Sequence, residues 1–184
     1  MIKREPISVL PVEDDAARAE TERRNPAEFR AANRVIIVVF ALDELRYALL
    51  LSSVERVVRA VEITPLPKAP GIVLGIINVQ GRIIPVIDVR QRFRLPAREI
   101  ELDDRFIIAS TPRRLVALVV DSVSGVRELA DGQMVNVEQS LPFAEYLKGV
   151  AKLEDNLVLI HDLDQFLSLD EEKALDAALT GGPA

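Results

Sequence analysis

His161 is the only histidine in the chain, and it stands at the end of an apolar strand in LVLIHDL, directly before Asp162. An imidazole beside a carboxylate is where a search for proton transfer or metal ligation begins. No nucleophile and no second ligand is spaced to work with it, so the residue reads as a packed or capping histidine. Asp162-x-x-Gln165 repeats Asp88-x-x-Gln91, and each follows an apolar strand. A recurring carboxylate in that place suggests metal or general-base chemistry, but a helix N-cap explains it better. The Asp accepts from an early helical N–H and the Gln three positions on reaches back, an arrangement typically worth ~1 kcal/mol. The absence of cysteine excludes disulfides, cysteine-based zinc sites and a thiol nucleophile. There is no glycine-rich phosphate loop, no Gly-x-Ser-x-Gly and no carboxylate pair at helical spacing in an apolar setting. The chain reads as non-catalytic, with no metal and no cofactor.

What remains is surface. Val54, Val57, Val123 and Val126 recur at matched places where paired strands end, just outside the densest apolar runs. Two such pairs facing each other would line a groove between subdomains, suited to the apolar stripe of a partner's helix. Periodicity supports equally the reading that all four are ordinary core.

The elements that must position these residues form a repeat. Gly75 to Phe93, GIINVQGRIIPVIDVRQRF, lies without a gap on Gly149 to Leu167 at a shift of 74, and Arg46 to Arg59 matches Leu115 to Glu128 at a shift of 69. Each copy carries a Gly, an apolar strand, a polar turn, a second apolar strand and a capped helix. The two shifts differ by 5, which one loop absorbs. The expected fold is mainly β: two similar five-stranded subdomains, each of hairpin, strand, long loop, hairpin and short helix. VIIVVFAL at Val35 to Leu42 implies burial on both faces of its strand. Pro85, inside an apolar strand, places that strand at a sheet edge or at a bulge. Three prolines in ITPLPKAPG, Ile63 to Gly71, make a stiff crossing loop, and Leu95 to Asp104 reads as a solvated polar bridge.

The ends read differently. Met1 to Asn33 is charged and proline-interrupted, a mobile leader able to become helical against a partner. Leu169 to Leu179 reads as a short helix with Ala174, Leu175, Ala178 and Leu179 on its docking face. With 184 residues and 49% hydrophobic content the chain buries roughly 70% of its unfolded surface. No apolar run approaches the ~20 residues of a spanning helix, and no secretory signal is recognisable, so a cytoplasmic protein without membrane insertion is expected. A net charge of −6 and no aromatics interleaved with the arginines argue against nucleic acid.

The combination of ITPLPKAPG, GIINVQGRIIPVIDVR at Gly75 to Arg90, VVDSVSGV at Val119 to Val126 and EYLKGVAKLEDNLVLIHDLDQFL at Glu145 to Leu167 resembles the CheW-type coupling proteins of bacterial chemosensory pathways. The resemblance spans roughly residues 34 to 168, leaving 169 to 184 as C-terminal helix and tail. It implies two five-stranded β-barrels around a shared core. It also implies an adaptor without enzymatic activity, joining the regulatory domain of the histidine kinase CheA to the cytoplasmic hairpin tip of methyl-accepting chemoreceptors, and so recruited to membrane-associated receptor arrays. Carried over residue by residue, it implies coupling roles for Val54, Arg56, Gly75, Gln80, Val123 and Val126, with Asn78 and Gly81 completing the turn. The family commonly has Asn-Leu-Arg-Gly where this chain has Asn78-Val79-Gln80-Gly81, and often Glu where Arg56 stands. That exchange points to a re-paired interface and to a motility or alternative chemosensory branch. A β-barrel sensing a small ligand between its subdomains is a further alternative, ranked behind because nothing polar converges in the sequence to orient a ligand.

Overall fold

The computed structural model describes residues 34–130, 132–135, 144–154 and 156–181. The leader read at residues 1–33 and part of the long loop after Asp131 lie outside the described residues. The first half of the chain forms β1 (Val35–Leu42), β2 (Leu45–Leu50), β3 (Val54–Arg59), β4 (Val73–Val79), β5 (Arg82–Ile87) and the one-turn helix α1 (Val89–Arg92). The second forms β6 (Arg105–Ser110), β7 (Leu115–Val120), β8 (Ser122–Leu129), β9 (Met134–Val135), β10 (Leu147–Leu153), β11 (Asn156–His161) and the terminal helix α2 (Leu169–Thr180). Asp88 and Asp162 cap as expected, accepting from the N–H of Arg90 and of Asp164, but the expected return bonds from Gln91 and Gln165 are not made, and the second turn is a 3-10 turn. Among the described residues no helix is long and apolar enough to cross a membrane.

The repeat in the sequence is not the unit of the fold. One sheet runs β8-β1-β2-β11-β10-β9 and the other β3-β6-β7-β5-β4, so each takes strands from both halves of the chain. β3 leaves the first half to pair with β6, and β8 returns the exchange by pairing with β1. The parallel contact of β5 with β7 is matched by that of β11 with β2. Each sheet then closes on itself. Beyond β3 the chain crosses to the opposite edge, where Thr64 exchanges two backbone hydrogen bonds with Ile76 of β4, at 2.9 and 2.8 Å. β9, after β8, pairs with β10 in the same way. The long loop thus contributes a short strand that the sequence did not announce.

This closure explains the repeated glycines. A Cβ on Gly75 would lie 2.3 Å from the Thr64 carbonyl oxygen, and its φ of +151° is one that L residues rarely adopt. A Cβ on Gly149 would meet the Met134 Cγ at 2.8 Å and the Val135 carbonyl oxygen at 3.0 Å, so the methionine must shift, but the backbone at Gly149 is unstrained. Gly75→Ala is therefore expected to cost about 3 kcal/mol, and Gly149→Ala about 1 kcal/mol or less. Urea unfolding of the two variants checks the order, and equal losses would show that the crossing strand yields freely.

Burial on both strand faces is realised as three cores. Ile37, Val39, Ala48, Val158 and Ile160 fill one barrel; Ile77, Ile84, Val86, Phe106 and Ile108 fill the other. Between the sheets lies a shared core that takes the opposite faces of the same strands, with Phe40, Leu49, Ile107 and Leu118 among its members. Pro85 does not mark an edge, because β5 lies inside its sheet. It sits opposite Ile76, one residue before the two-residue parallel ladder to β7, where its missing N–H breaks no bond to that strand. The nearby bulge is carried by β4, between Val73 and Gly75.

Two expectations about polar residues are corrected. Asp104 does not solvate the bridge: it is 3% exposed, and both of its oxygens accept from Arg98, at 2.6 and 3.0 Å. Arg98 also reaches Asp121 at 2.6 Å, Asp121 holds Arg90 at 2.7 Å, and Arg90 holds Asp43 at 2.8 Å. Hydrogen bonds to Asp43 hold the Arg90 guanidinium in its charged form, as those to Asp104 do for Arg98. Burial alone would raise Asp121, but donation from Arg90, the Asp43 N–H and Arg98 outweighs it and holds the carboxyl below its usual range. This chain of five charges fastens the β1–β2 turn, α1, the bridge and the end of β7. In α2, Leu175 is buried but Ala174 and Leu179 are not, and Glu172 is buried in their stead. The helix is rotated because Glu171 pairs with Arg92 at 2.6 Å and Glu172 with Arg114 at 3.2 Å. A Ser168–Glu171 capping box starts it and Gly181, at φ +67°, ends it.

Candidate functional site

Residues three apart on a regular strand point to opposite faces. Val54 and Val57 nonetheless share a face, because β3 is bulged between Val54 and Arg56: Val54 lies opposite Ala109 and Val57 opposite Ile107, both members of the shared core. β8 repeats the device, since Val123 lies opposite Phe40, Gly125 opposite Val39 and Val126 opposite Val38. The bulged residues, Glu55 and Ser124, are 69 positions apart and so are equivalent in the repeat. Directly opposed side chains lie on the same side of a sheet. All four valines therefore stand on the faces that the two sheets turn toward the shared core, on the outer strand of each sheet. The inner pair, Val54 and Val123, packs against that core, while Val57 and Val126 remain 39% and 51% exposed. Core and surface readings thus divide between the inner and the outer valine of each pair.

The other face of β3 carries the polar set. The β4–β5 turn has Gln80 at φ 53° and Gly81 at φ 84°, the two consecutive positive values of a type I′ hairpin, and Asn78 Oδ1 accepts from the Gly81 N–H at 2.8 Å. Arg56 Nη1 donates to Gln80 Oε1 at 2.9 Å. The bulge aims Glu55 at Arg82, which it pairs with, and Glu55 also lies 3.6 Å from Arg56. The hydrogen bond from Arg82 holds the Glu55 carboxyl below its usual range. Arg56, Asn78, Gln80 and Gly81 thus come together at the mouth of one barrel. Gly75 does not join them at the surface; it is buried beneath Thr64 and sets the path of the crossing loop. The residues the sequence failed to single out are Glu55 and Arg82. Their only advance signal is a glutamate next to a position where strand spacing slips.

His161 belongs to the interior. Its Nδ1–H donates to the Tyr146 carbonyl at 3.1 Å, and its ring packs 4.1 Å from Phe93 and 5.4 Å from Tyr47, centroid to centroid. Burial pushes its pKa down to about 3, so the ring is neutral at ordinary pH. Among the described residues no three His, Asp or Glu side chains are grouped to hold a metal ion.

Comparison with known proteins bears on these surfaces. Residues 34–171 match the family model described as CheW-like domain. The chain is 30% identical to the chemotaxis protein CheW of Thermotoga maritima over 131 residues, covering 71% of this chain and 86% of that protein. It is 27% identical over 132 residues to protein FrzA of Myxococcus xanthus, covering 68% of this chain and 79% of that one. Among solved structures it is similar to the scaffolding protein TtCheW from Thermoanaerobacter tengcongensis, with a TM-score of 0.69 and 32% identity, covering 74% of this chain and 94% of that one.

Proposed function

The chain belongs to the CheW-like domain family, and on that footing we propose that it is an adaptor without catalysis of its own, joining a chemoreceptor's hairpin tip to the regulatory domain of a CheA-type histidine kinase. The observation that carries this reading is the bulge-aligned pair of half-exposed valines, Val57 and Val126, on the outer strands beside the shared core. Exposed apolar side chains of that kind suit the apolar stripe of a helical hairpin. The polar set on the opposite face of β3 is assigned to coupling. In the cell the protein works in the cytoplasm, held at receptor arrays by these contacts. The similarity to FrzA favours a second output, a motility or alternative chemosensory system served by the same adaptor surfaces.

Val126→Asp is expected to weaken receptor binding by about 30-fold, the loss of one ~2 kcal/mol hot spot. Because Val126 is half exposed, the melting temperature should stay nearly unchanged. Receptor pull-down and thermal melting are read together: intact binding removes Val126 from the groove, and unfolding returns it to the core. Gln80→Arg sets two guanidinium groups against each other where Arg56 now donates, so the turn must present a cation to the partner instead. Kinase activity in a reconstituted receptor array is expected to change several-fold, and an unaltered phosphorylation rate would dissociate the turn from coupling.

A further inference from the structure

Leu102 is 87% exposed, the most exposed large apolar side chain among the described residues, and it is flanked by the exposed acids Glu101 and Asp103. It does not stand alone. Val61 is 50% and Ile100 37% exposed, and the three border an open groove of about 400 Å³ with Glu62 and Glu101 on its rim. Folding gives no reason for this patch, since none of the three barrel and inter-sheet cores includes these residues. An apolar patch with a charged rim marks a contact surface.

Two further observations define what fits it. The first is a stretch of unbonded backbone. Ala60 N–H still donates to the Asp104 carbonyl at 3.0 Å, and Thr64 is tied to Ile76, but among the described residues Val61, Glu62 and Ile63 make no backbone hydrogen bond. They lie outside any strand, on the segment that crosses from β3 to the bridge with β4, so the patch is a loop surface. The second is charge. Glu62, Glu99 and Asp103 are exposed and without an ion pair among the described residues, and Glu101 lies 3.9 Å from Arg98, which Asp104 and Asp121 already engage more closely. Arg59 and, opposite it, Arg105 are the nearby cations, and two of them against Glu62, Glu99, Glu101 and Asp103 leave the balance acidic.

We infer that the loop patch of Val61, Ile100 and Leu102, with Leu102 as its anchor, is a docking surface for a partner segment that alternates apolar and basic side chains. The segment's apolar side chains cover Leu102 and Val61, and its lysines or arginines face Glu62, Glu99 and Glu101. The surface lies beyond Val57 along the chain, and the inference does not depend on the adaptor assignment.

The test uses the full-length protein and two ten-residue peptides, one alternating lysine with valine and one alternating glutamate with valine. The lysine peptide is expected to shift the amide resonances of residues 61–63 and 100–103, and the glutamate peptide to leave them in place. Leu102→Ser, in an exposed turn, should weaken the lysine peptide about tenfold with no change in melting. The triple change Glu62→Gln, Glu99→Gln, Glu101→Gln should flatten the salt dependence of binding. Equal binding of both peptides, shifts confined to another face, or affinity indifferent to Leu102→Ser would overturn the inference. So would self-association abolished by Leu102→Ser, which would make the patch a contact between copies of this chain.

Discussion

Between pH 6.5 and 4.5 the fold is expected to lose about 2–3 kcal/mol of stability, and His161 is the cause. A histidine of ordinary pKa near 6.5 in the unfolded chain is held at about 3 in the folded one. The unfolded state therefore binds more protons throughout that window, and linkage makes stability fall by about 1.4 kcal/mol for each unit of pH lost, on the order of 4–5 kcal/mol by pH 3. The sign follows from the site: Nδ1–H serves Tyr146, Nε2 is buried without a partner, and the rings of Tyr47, Phe93 and Phe166 offer a charged imidazole nothing but a face or an edge. Asp121 and Glu171, both held below the usual carboxylate range, add losses of the same sign only at lower pH. Urea unfolding at pH 7.5, 6.5, 5.5 and 4.5 measures the slope, and His161→Phe should flatten it. A variant with the wild-type slope would place the acid sensitivity elsewhere.

Arg98→Ala is expected to cost about 3–5 kcal/mol, because it leaves Asp104 as a buried charge without its cation. The equivalent loss at Asp121 is softened, since Arg90 still holds that carboxylate at 2.7 Å. The effect should be strongly non-additive: Arg98→Ala with Asp104→Ala removes the stranded charge along with its partner and should recover much of the loss. Chemical denaturation of the two single variants and the double variant measures the coupling. Additive losses would mean that the pair does not interact as a buried ion pair. The same network fastens the end of β7, from which β8 emerges with Val123 and Val126.

The sequence alone determined the strands other than β9, the repeat, the capping aspartates and the family. These rest on local chemistry: an alternation of side chains, a Gly at a close approach, an Asp before a helical N–H. It also told that Val54, Val57, Val123 and Val126 correspond, because equivalent positions in a repeat keep equivalent environments. It could not say which of them is surface, since the bulges at Glu55 and Ser124 that bring each pair to one face are properties of strand register, set by the strand opposite. Only the tertiary structure decided that β3 and β8 change partners, that Pro85 lies inside a sheet and that Asp104 is buried. Each depends on a residue far along the chain: Arg56 meets Gln80 across 24 positions, and Arg90 meets Asp43 across 47. A local pattern records which face of an element is apolar, and it carries no trace of the distant group that will share a hydrogen bond with it.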